Sequence, residues 1–208
     1  EDRGTGYFQQ MLFSENHSFP SGSMRDYYRT ISGWTADGSK GVDVTGKVHG
    51  WFRLPNALAH YAAGSSGMGD AFPTNAQGMA RDAVLAAKSA GVDFSGYDAL
   101  GENMITALFI IHGGRGAETT ADRNDIWSHK WVIPDGGVPL GANLAARTYL
   151  TVPEDCHVGV CAHEWGHLAA RWADFYDTGR VESTRSSGLG DYCLMASGSW
   201  GDGGLTPV

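Results

Sequence analysis

One five-residue pattern, HEWGH at positions 163–167, restricts both the fold and the chemistry of this chain. Residues four apart lie on one face of a helix, so His163 and His167 can direct imidazole nitrogens at a single ion. Zinc takes such ligands in a tetrahedral shell, and a catalytic site leaves one position for water. Glu164, beside the ion, can accept and return the proton of that water. The pattern predicts a zinc-binding helix with an apolar face between Val158 and Ala169.

Two histidines leave the site one protein ligand short, and Asp174, seven residues after the second histidine, is the expected third. In the metzincin pattern H-E-x-x-H-x-x-G-x-x-H, a glycine ends the helix and a third ligand follows three residues later. Ala170 and Ala173 occupy those two places here, so Asp174 fits only with one extra residue. A carboxylate is an acceptable zinc ligand. Asp177 and Glu182 remain open as alternatives.

A second feature lies downstream, in the segment LMASGSW at positions 194–200. Its methionine, Met195, stands among small residues after the zinc helix. This arrangement is typical of the Met-turn that runs beneath the metal in metzincins. Met195 is therefore expected to support the site from below.

At this point the chain resembles a known family, the immune inhibitor A-type secreted bacterial metallopeptidases. Besides HEWGH, ADFYDT and LMASGSW, the resemblance covers FQQMLFSE, SMRDYYRTISG followed by VTGKVHGWFRLP, VDFSGYD with ALFIIHGGRGAE, and IWSHKW. These segments appear in family order over nearly the whole chain. The resemblance implies a secreted, extracellular zinc endopeptidase that hydrolyses protein or peptide substrates. It carries His163, His167 and Glu164 over directly, and Asp174 through the one-residue insertion.

The expected fold is α+β, a metzincin-like domain with a twisted mixed sheet, the zinc-binding helix and a smaller lower lobe. One catalytic domain over residues 1–208 is expected, with an upper lobe at about 1–170 and a lower lobe at about 171–208. Because the family usually extends beyond both ends of this sequence, the chain is expected to be a segment of a larger precursor. Local patterns predict helices at Tyr7–Phe13, Ser23–Ile31, Pro55–Ala63 and Pro73–Ala90, a strand or hairpin at Val42–Leu54, and strands at Ile105–His112 and Tyr149–Val152. Ser23 is expected to be the N-cap of the second helix.

Charge and hydropathy narrow the class of partner. The net charge is −8 and no basic cluster occurs, which argues against nucleic acid or an anionic membrane surface as a partner. The longest strongly apolar run, Ile105–Ile111, is far shorter than a membrane span. With 42% hydrophobic residues and 30 glycines, the composition is that of a globular chain rich in turns.

Three cysteines leave the pairing open. Cys156 and Cys161 flank the start of the zinc helix, and Cys193 precedes the methionine turn. A bridge from Cys156 or Cys161 to Cys193 would join the two halves of the site in an oxidising compartment. Buried thiols without a bond are the alternative.

Three further questions stay open at this level. Tyr176 and Tyr192 are both candidates to stabilise an oxyanion. Residues 93–103 carry acidic and amide side chains among glycines, which favours either a structural calcium site or a solvated turn. The departures at Ala170 and Ala173 also allow a catalytically silent module that keeps the peptidase fold for binding.

Overall fold

The computed structural model describes residues 3–179 and 185–208. Its elements are α1 Thr5–Phe13, α2 Met24–Ser32, α3 Leu58–Ala62, α4 Ala76–Ser89, β1 Phe109–His112, α5 Ala117–Thr120, β2 His129–Val132, β3 Val138–Gly141, β4 Leu144–Ala146, β5 Thr148–Pro153 and α6 Val158–Leu168. Two 3-10 segments follow, Gly190–Tyr192 and Ser197–Gly204. The chain forms two compact units, a first unit of residues 1–48 with 156–208 and a second unit of residues 49–155. The expectation of one catalytic domain with a lobe boundary near residue 170 stays a prediction.

In the first unit, helix α2 begins at a reciprocal cap between Ser23 and Asp26. The Asp26 backbone N–H donates to Ser23 Oγ at 3.0 Å, and the Ser23 N–H donates to Asp26 Oδ2 at 3.1 Å. Both groups would otherwise be unsatisfied at a helix start. The helix ends at Gly33, whose φ of 63° lies in the left-handed region. The prediction of Ser23 as the N-cap is confirmed.

Helix α6, which carries HEWGH, is held against α2 within the first unit. The buried Tyr28 of α2 donates its hydroxyl to the Ala162 carbonyl at 2.6 Å. Its ring lies 4.3 Å from that of Trp165, measured between centroids. A hydrogen bond and an aromatic contact on the same side chain fix both the position and the rotation of the helix.

Gly159, in the first turn of α6, lies against the second 3-10 segment. A Cβ at this position would lie 1.8 Å from the Ser199 carbonyl oxygen, which is backbone and has little room to move. We therefore expect Gly159→Ala to lower the melting temperature by about 4 to 10 °C, because overpacking a tight contact costs stability. Thermal unfolding followed by circular dichroism measures the shift.

Gly6→Ala is the matched control for this prediction. Gly6 also lies in a helix of the first unit, α1, and a Cβ there meets no atom within 4 Å. Alanine has the higher helix propensity, so the melting temperature should stay or rise. Equal melting temperatures for Gly159→Ala and the parent would contradict the close packing at Gly159.

The prediction of a strand or hairpin over Val42–Leu54 is wrong, since the structure has no strand in these residues. The Gln9 side chain of α1 takes the place of a neighbouring strand for part of the segment. Its Nε2 donates to the Gly46 carbonyl at 3.2 Å, and its Oε1 accepts from the Val48 N–H at 2.9 Å. A Cβ on Gly46 would meet the Phe13 ring, so the segment lies directly on α1. Backbone groups satisfied by a side-chain amide need no partner strand.

The second unit contains a three-stranded mixed sheet in the order β1-β5-β2. Strand β1 pairs in parallel with β5, and β2 pairs antiparallel on the other side of β5. A separate hairpin joins β3 to β4. The core of this unit gathers apolar residues of α3, α4, the strands and the segments on either side of β2: Tyr61, Ala62, Ala76, Met79, Ala80, Val84, Ile110, Ile126, Ile133, Val138, Ala146 and Tyr149. The prediction of an α+β chain with a mixed sheet is confirmed.

Element boundaries differ from the predicted ones where a side chain ends or begins an element. Helix α4 begins at Ala76 and not at Pro73, because Asn75 Oδ1 accepts from the Gly78 N–H at 3.1 Å and caps the helix there. Strand β1 occupies only the last four residues of the predicted Ile105–His112.

Among residues 3–179 and 185–208, no helix has the length and apolar character to cross a bilayer.

Candidate metal centre

The structure brings three of the sequence-predicted side chains of the first unit to one point. His163 Nε2 lies 3.0 Å from His167 Nε2 and 3.3 Å from Asp174 Oδ1. His167 Nε2 lies 3.1 Å from Asp174 Oδ1. In the part of the chain that the structure describes, this is the one group of three or more His, Cys, Asp or Glu side chains that could hold a metal ion.

Backbone carbonyls set the tautomer of both histidines. His163 Nδ1 lies 2.9 Å from the Leu194 carbonyl oxygen, and His167 Nδ1 lies 2.7 Å from that of Trp172. Because a carbonyl oxygen can only accept, each Nδ1 must carry the proton and donate it. Each Nε2 therefore presents a lone pair toward the shared point, which is the orientation that metal-ligating histidines adopt.

The electrostatics of this point favour a cation. Burial lowers the pKa of His163, so its imidazole is neutral near pH 7. Two imidazole lone pairs and a carboxylate oxygen then lie 3.0–3.3 Å apart, and such donors repel one another unless a positive charge lies between them. Ligands bound to zinc at about 2.0–2.1 Å with tetrahedral angles lie about 3.3 Å apart, so the three residues fit this ion.

A turn after α6 explains how Asp174 reaches this point without the expected glycine. Arg171 adopts a left-handed conformation, with φ of 58°, and the Trp172 N–H donates to the Gly166 carbonyl at 3.1 Å. The chain thus reverses at Arg171 and not at the position that Ala170 occupies. A reversal one residue later accounts for the one-residue insertion before Asp174.

The competing carboxylates lie elsewhere or outside the described residues. Asp177 is exposed, and its Oδ1 accepts from the Gly179 N–H at 2.7 Å in a local turn. It does not belong to the group of three. Glu182 lies outside the described residues.

The predicted base, Glu164, is buried beside His163 on α6, with 5% of its surface exposed. Burial first, and then the nearby carboxylates of Asp174 and Glu164, raise the pKa of the Tyr176 phenol to about 12. Tyr176 therefore keeps its proton and can donate a hydrogen bond near these carboxylates. Tyr192, the other candidate, is 92% exposed.

Met195 is buried under the turn between the two histidines. A Cβ on Gly166 would lie 2.9 Å from Met195 Sδ, so glycine at this position admits the sulfur. The Met195 carbonyl accepts from the Phe175 N–H at 2.8 Å, which joins the methionine segment to the residue after Asp174. The methionine segment and the segment that carries Asp174 are thus held together by backbone.

Sequence reasoning missed the carbonyls of Leu194 and Trp172 and the role of Gly166. Backbone carbonyls carry no side-chain signal, so the two acceptors could not be read from residue types. Gly166 did carry a signal, because glycine inside a helix is unfavourable and indicates a close approach by another group.

Of the two alternatives for the cysteines, the structure shows thiols without a bond, and neither Cys156 nor Cys161 is bridged to Cys193. All three cysteines are free thiols, and the two sulfurs in contact belong to Cys156 and Cys161, 3.6 Å apart. These two sulfurs meet because Cys156 lies just before α6 and Cys161 lies within the start of the same helix.

Residues 93–103 form a hydrogen-bonded turn, as one of the two alternatives predicts. The two Asp98 carboxylate oxygens accept from the N–H groups of Glu102 and Asn103 at 2.8 and 2.9 Å. Asp93 Oδ1 accepts from the Ser95 N–H at 2.8 Å. These carboxylates stabilise the turn itself, and the calcium alternative gains no support from them.

The chain is similar to known peptidases over nearly its whole length. Residues 1–206 match the model of the immune inhibitor A peptidase M6 catalytic domain. The chain is 31% identical to immune inhibitor A of Bacillus thuringiensis subsp. alesti, over 100% of this chain and 34% of that protein. It is 28% identical to the pre-pro-metalloprotease PrtV of Vibrio cholerae serotype O1, over 97% of this chain and 24% of that protein.

The chain thus spans about a quarter to a third of the length of these curated relatives. The match to the family model covers nearly every residue, including the three converging side chains and Glu164. Family and relatives together indicate a metallopeptidase. The chain belongs to the immune inhibitor A family of M6 peptidases.

Proposed function

We propose that this chain is the catalytic domain of a secreted zinc-dependent endopeptidase that hydrolyses peptide bonds of proteins. The observation that carries the proposal is the convergence of two proton-free imidazole nitrogens and a carboxylate oxygen within 3.0–3.3 Å of one another. His163, His167 and Asp174 would hold the zinc ion. Bound there, zinc would polarise the scissile carbonyl and lower the pKa of a water molecule.

Glu164 is the general base and acid in this proposal. Its carboxylate is buried, follows His163 directly on α6 and lies near the Tyr176 phenol. A carboxylate in that place can take a proton from the attacking water and deliver it to the leaving amine. Burial keeps bulk water from competing for the proton.

Tyr176 is the group we assign to stabilising the developing negative charge. Its phenol stays protonated, because its pKa of about 12 is far above neutral pH. A phenol that keeps its proton beside the proposed ligand Asp174 can donate a hydrogen bond to an oxyanion that forms there. Tyr192 is less suited, since its side chain is almost fully in solvent.

The methionine segment has a supporting role. The Leu194 carbonyl orients the His163 ring, and Met195 fills the space that Gly166 leaves open. Leu194 therefore orients the proposed ligand His163, and Met195 packs against the helix backbone at Gly166. In this proposal the segment is the Met-turn of the metzincin-like arrangement.

Secretion belongs to the proposal as well. The family resemblance implies an extracellular enzyme, and the Vibrio relative is named a pre-pro-metalloprotease. Zinc and an extracellular protein substrate complete the proposed reaction. The motive for a silent module, the alanines at positions 170 and 173, is weakened because the turn at Arg171 lets Asp174 meet the two histidines.

Metal removal tests the proposal. We expect one zinc per chain by elemental analysis, and casein cleavage that falls by more than about 100-fold when 1,10-phenanthroline removes the metal. Added zinc should restore cleavage, because the protein ligands persist without the ion. Cleavage that continues in metal-free protein would contradict the zinc mechanism. Stoichiometric zinc without cleavage of casein would contradict the peptidase assignment and leave the metal site standing.

A further inference from the structure

Two thiols that the proposed reaction does not use lie in contact at the start of α6. The Sγ atoms of Cys156 and Cys161 are 3.6 Å apart, and both side chains are buried. Cys156 directly precedes His157, the N-cap of α6, and Cys161 lies in the first turns of the helix. A disulfide needs its sulfurs about 2.05 Å apart, so bond formation requires an approach of about 1.5 Å.

The backbone on both sides of the thiol pair is already held. Arg3 Nη1 donates to the Cys156 carbonyl at 2.8 Å, which anchors the residue before the helix. The Cys161 N–H donates to the His157 carbonyl at 3.3 Å, which begins the helical hydrogen bonding. Hydrogen bonds thus hold the backbone at both cysteines, and the two sulfurs already lie in contact.

Cys193 is not part of this pair. Its carbonyl accepts from the N–H groups of Ala196 and Gly198, both at 3.0 Å, within the methionine segment. Its side chain is partly exposed, unlike the other two. With three cysteines in the chain, a bond between the two buried ones leaves one thiol free.

We propose that Cys156 and Cys161 form a disulfide that closes the first turns of α6 when the chain folds under oxidising conditions, and that Cys193 stays a free thiol. The oxidant is a disulfide such as oxidised glutathione. Its S–S bond breaks, a new S–S bond forms between the two protein sulfurs, and two electrons with the two thiol protons leave in two molecules of reduced glutathione. The proposal depends on the proposed function only for the extracellular location.

The bond has a structural consequence for the helix that carries the proposed zinc ligands. A cross-link between Cys156 and Cys161 lowers the conformational entropy of the unfolded chain, which raises the free energy of unfolding. The oxidised chain should therefore melt about 4 to 8 °C above the reduced chain. Catalysis is not involved in this effect.

Peptide mapping tests the connectivity. The chain is refolded in a glutathione redox buffer, alkylated while denatured, and digested with trypsin. Cleavage after Arg147 and Arg171 releases residues 148–171 with both buried cysteines, and cleavage after Arg185 releases residues 186–208 with Cys193. We expect peptide 148–171 unalkylated and about 2 Da lighter than its dithiol form, with peptide 186–208 alkylated once. Alkylation at all three cysteines, or a cross-link between the two peptides, would overturn the proposal.

Thermal unfolding gives an independent readout with a matched control. Cys193→Ser should keep the difference in melting temperature between oxidised and reduced protein, whereas Cys161→Ala should abolish it. If the difference in melting temperature disappears in Cys193→Ser, then Cys193 takes part in the bond and the proposed pairing is wrong. Neither measurement uses casein or zinc, so failure of the disulfide leaves the proposed hydrolase untouched, and loss of casein cleavage leaves the disulfide untouched.

Discussion

Glu164→Gln is expected to lower casein cleavage by at least about 1000-fold while one zinc per chain remains bound. Glutamine has nearly the shape of glutamate, so the buried position beside His163 stays filled. The amide cannot accept the proton of the attacking water, which removes the base from the reaction. The three converging donor atoms do not include Glu164, so metal binding should persist. Elemental analysis and casein cleavage on the same preparation separate the two effects.

Glu102→Gln is the matched control for this substitution. It removes one carboxylate by the same chemical change in the second unit, in the turn after Asp98. Cleavage by this variant should stay within about twofold of the parent, since Glu102 is not one of the side chains that could hold the metal and does not lie on α6. If Glu164→Gln cleaves casein within tenfold of the parent, the proton-transfer role belongs to another group.

Local sequence patterns predicted the first unit well where one side chain decides the outcome. Ser23 was expected to cap α2, and it does so because its short polar side chain accepts from the N–H three residues later. Helix α6 was expected because HEWGH needs two imidazoles on one helical face. In both cases the deciding contacts join residues only three or four positions apart, so the sequence itself contains the geometry.

The rest depended on contacts between distant residues. The alternation in Val42–Leu54 indicated a strand, yet Gln9 of α1 supplies the hydrogen bonds that a partner strand would. The hairpin of β3 and β4 and the short helix α5 were not predicted, because their turns hold no distinct periodicity. A pattern of apolar residues shows that a segment is partly buried, but it does not show which element covers it.

The third side chain of the candidate site illustrates the same limit. The metzincin spacing failed at Ala170 and Ala173, and the sequence alone offered three acidic residues in their place. The left-handed turn at Arg171 directs Asp174, and not Asp177, toward the two histidines. Non-glycine residues in that conformation are uncommon, and no sequence rule predicts where they occur. Assignment of Asp174 as a zinc ligand therefore stays a prediction that calls for a direct test.

Asp174→Ala is expected to weaken zinc binding by more than about 100-fold and to lower casein cleavage by at least about 1000-fold. The substitution removes the only anionic donor among the three converging side chains and leaves two neutral imidazoles. Two neutral donors neither balance the charge of the ion nor complete its shell. The loss should appear in both readouts at once, unlike that of Glu164→Gln, which should affect cleavage alone.

Asp177→Ala is the matched control, because it removes an identical side chain three residues away, where the carboxylate accepts from the Gly179 N–H. That variant should keep both zinc and cleavage. Glu182→Ala completes the set. If zinc and cleavage persist in Asp174→Ala and disappear in Asp177→Ala or Glu182→Ala, the third ligand is the residue whose loss removes them. The convergence of Asp174 with the two histidines would then need another explanation, such as a hydrogen bond that orders the rings before metal binds.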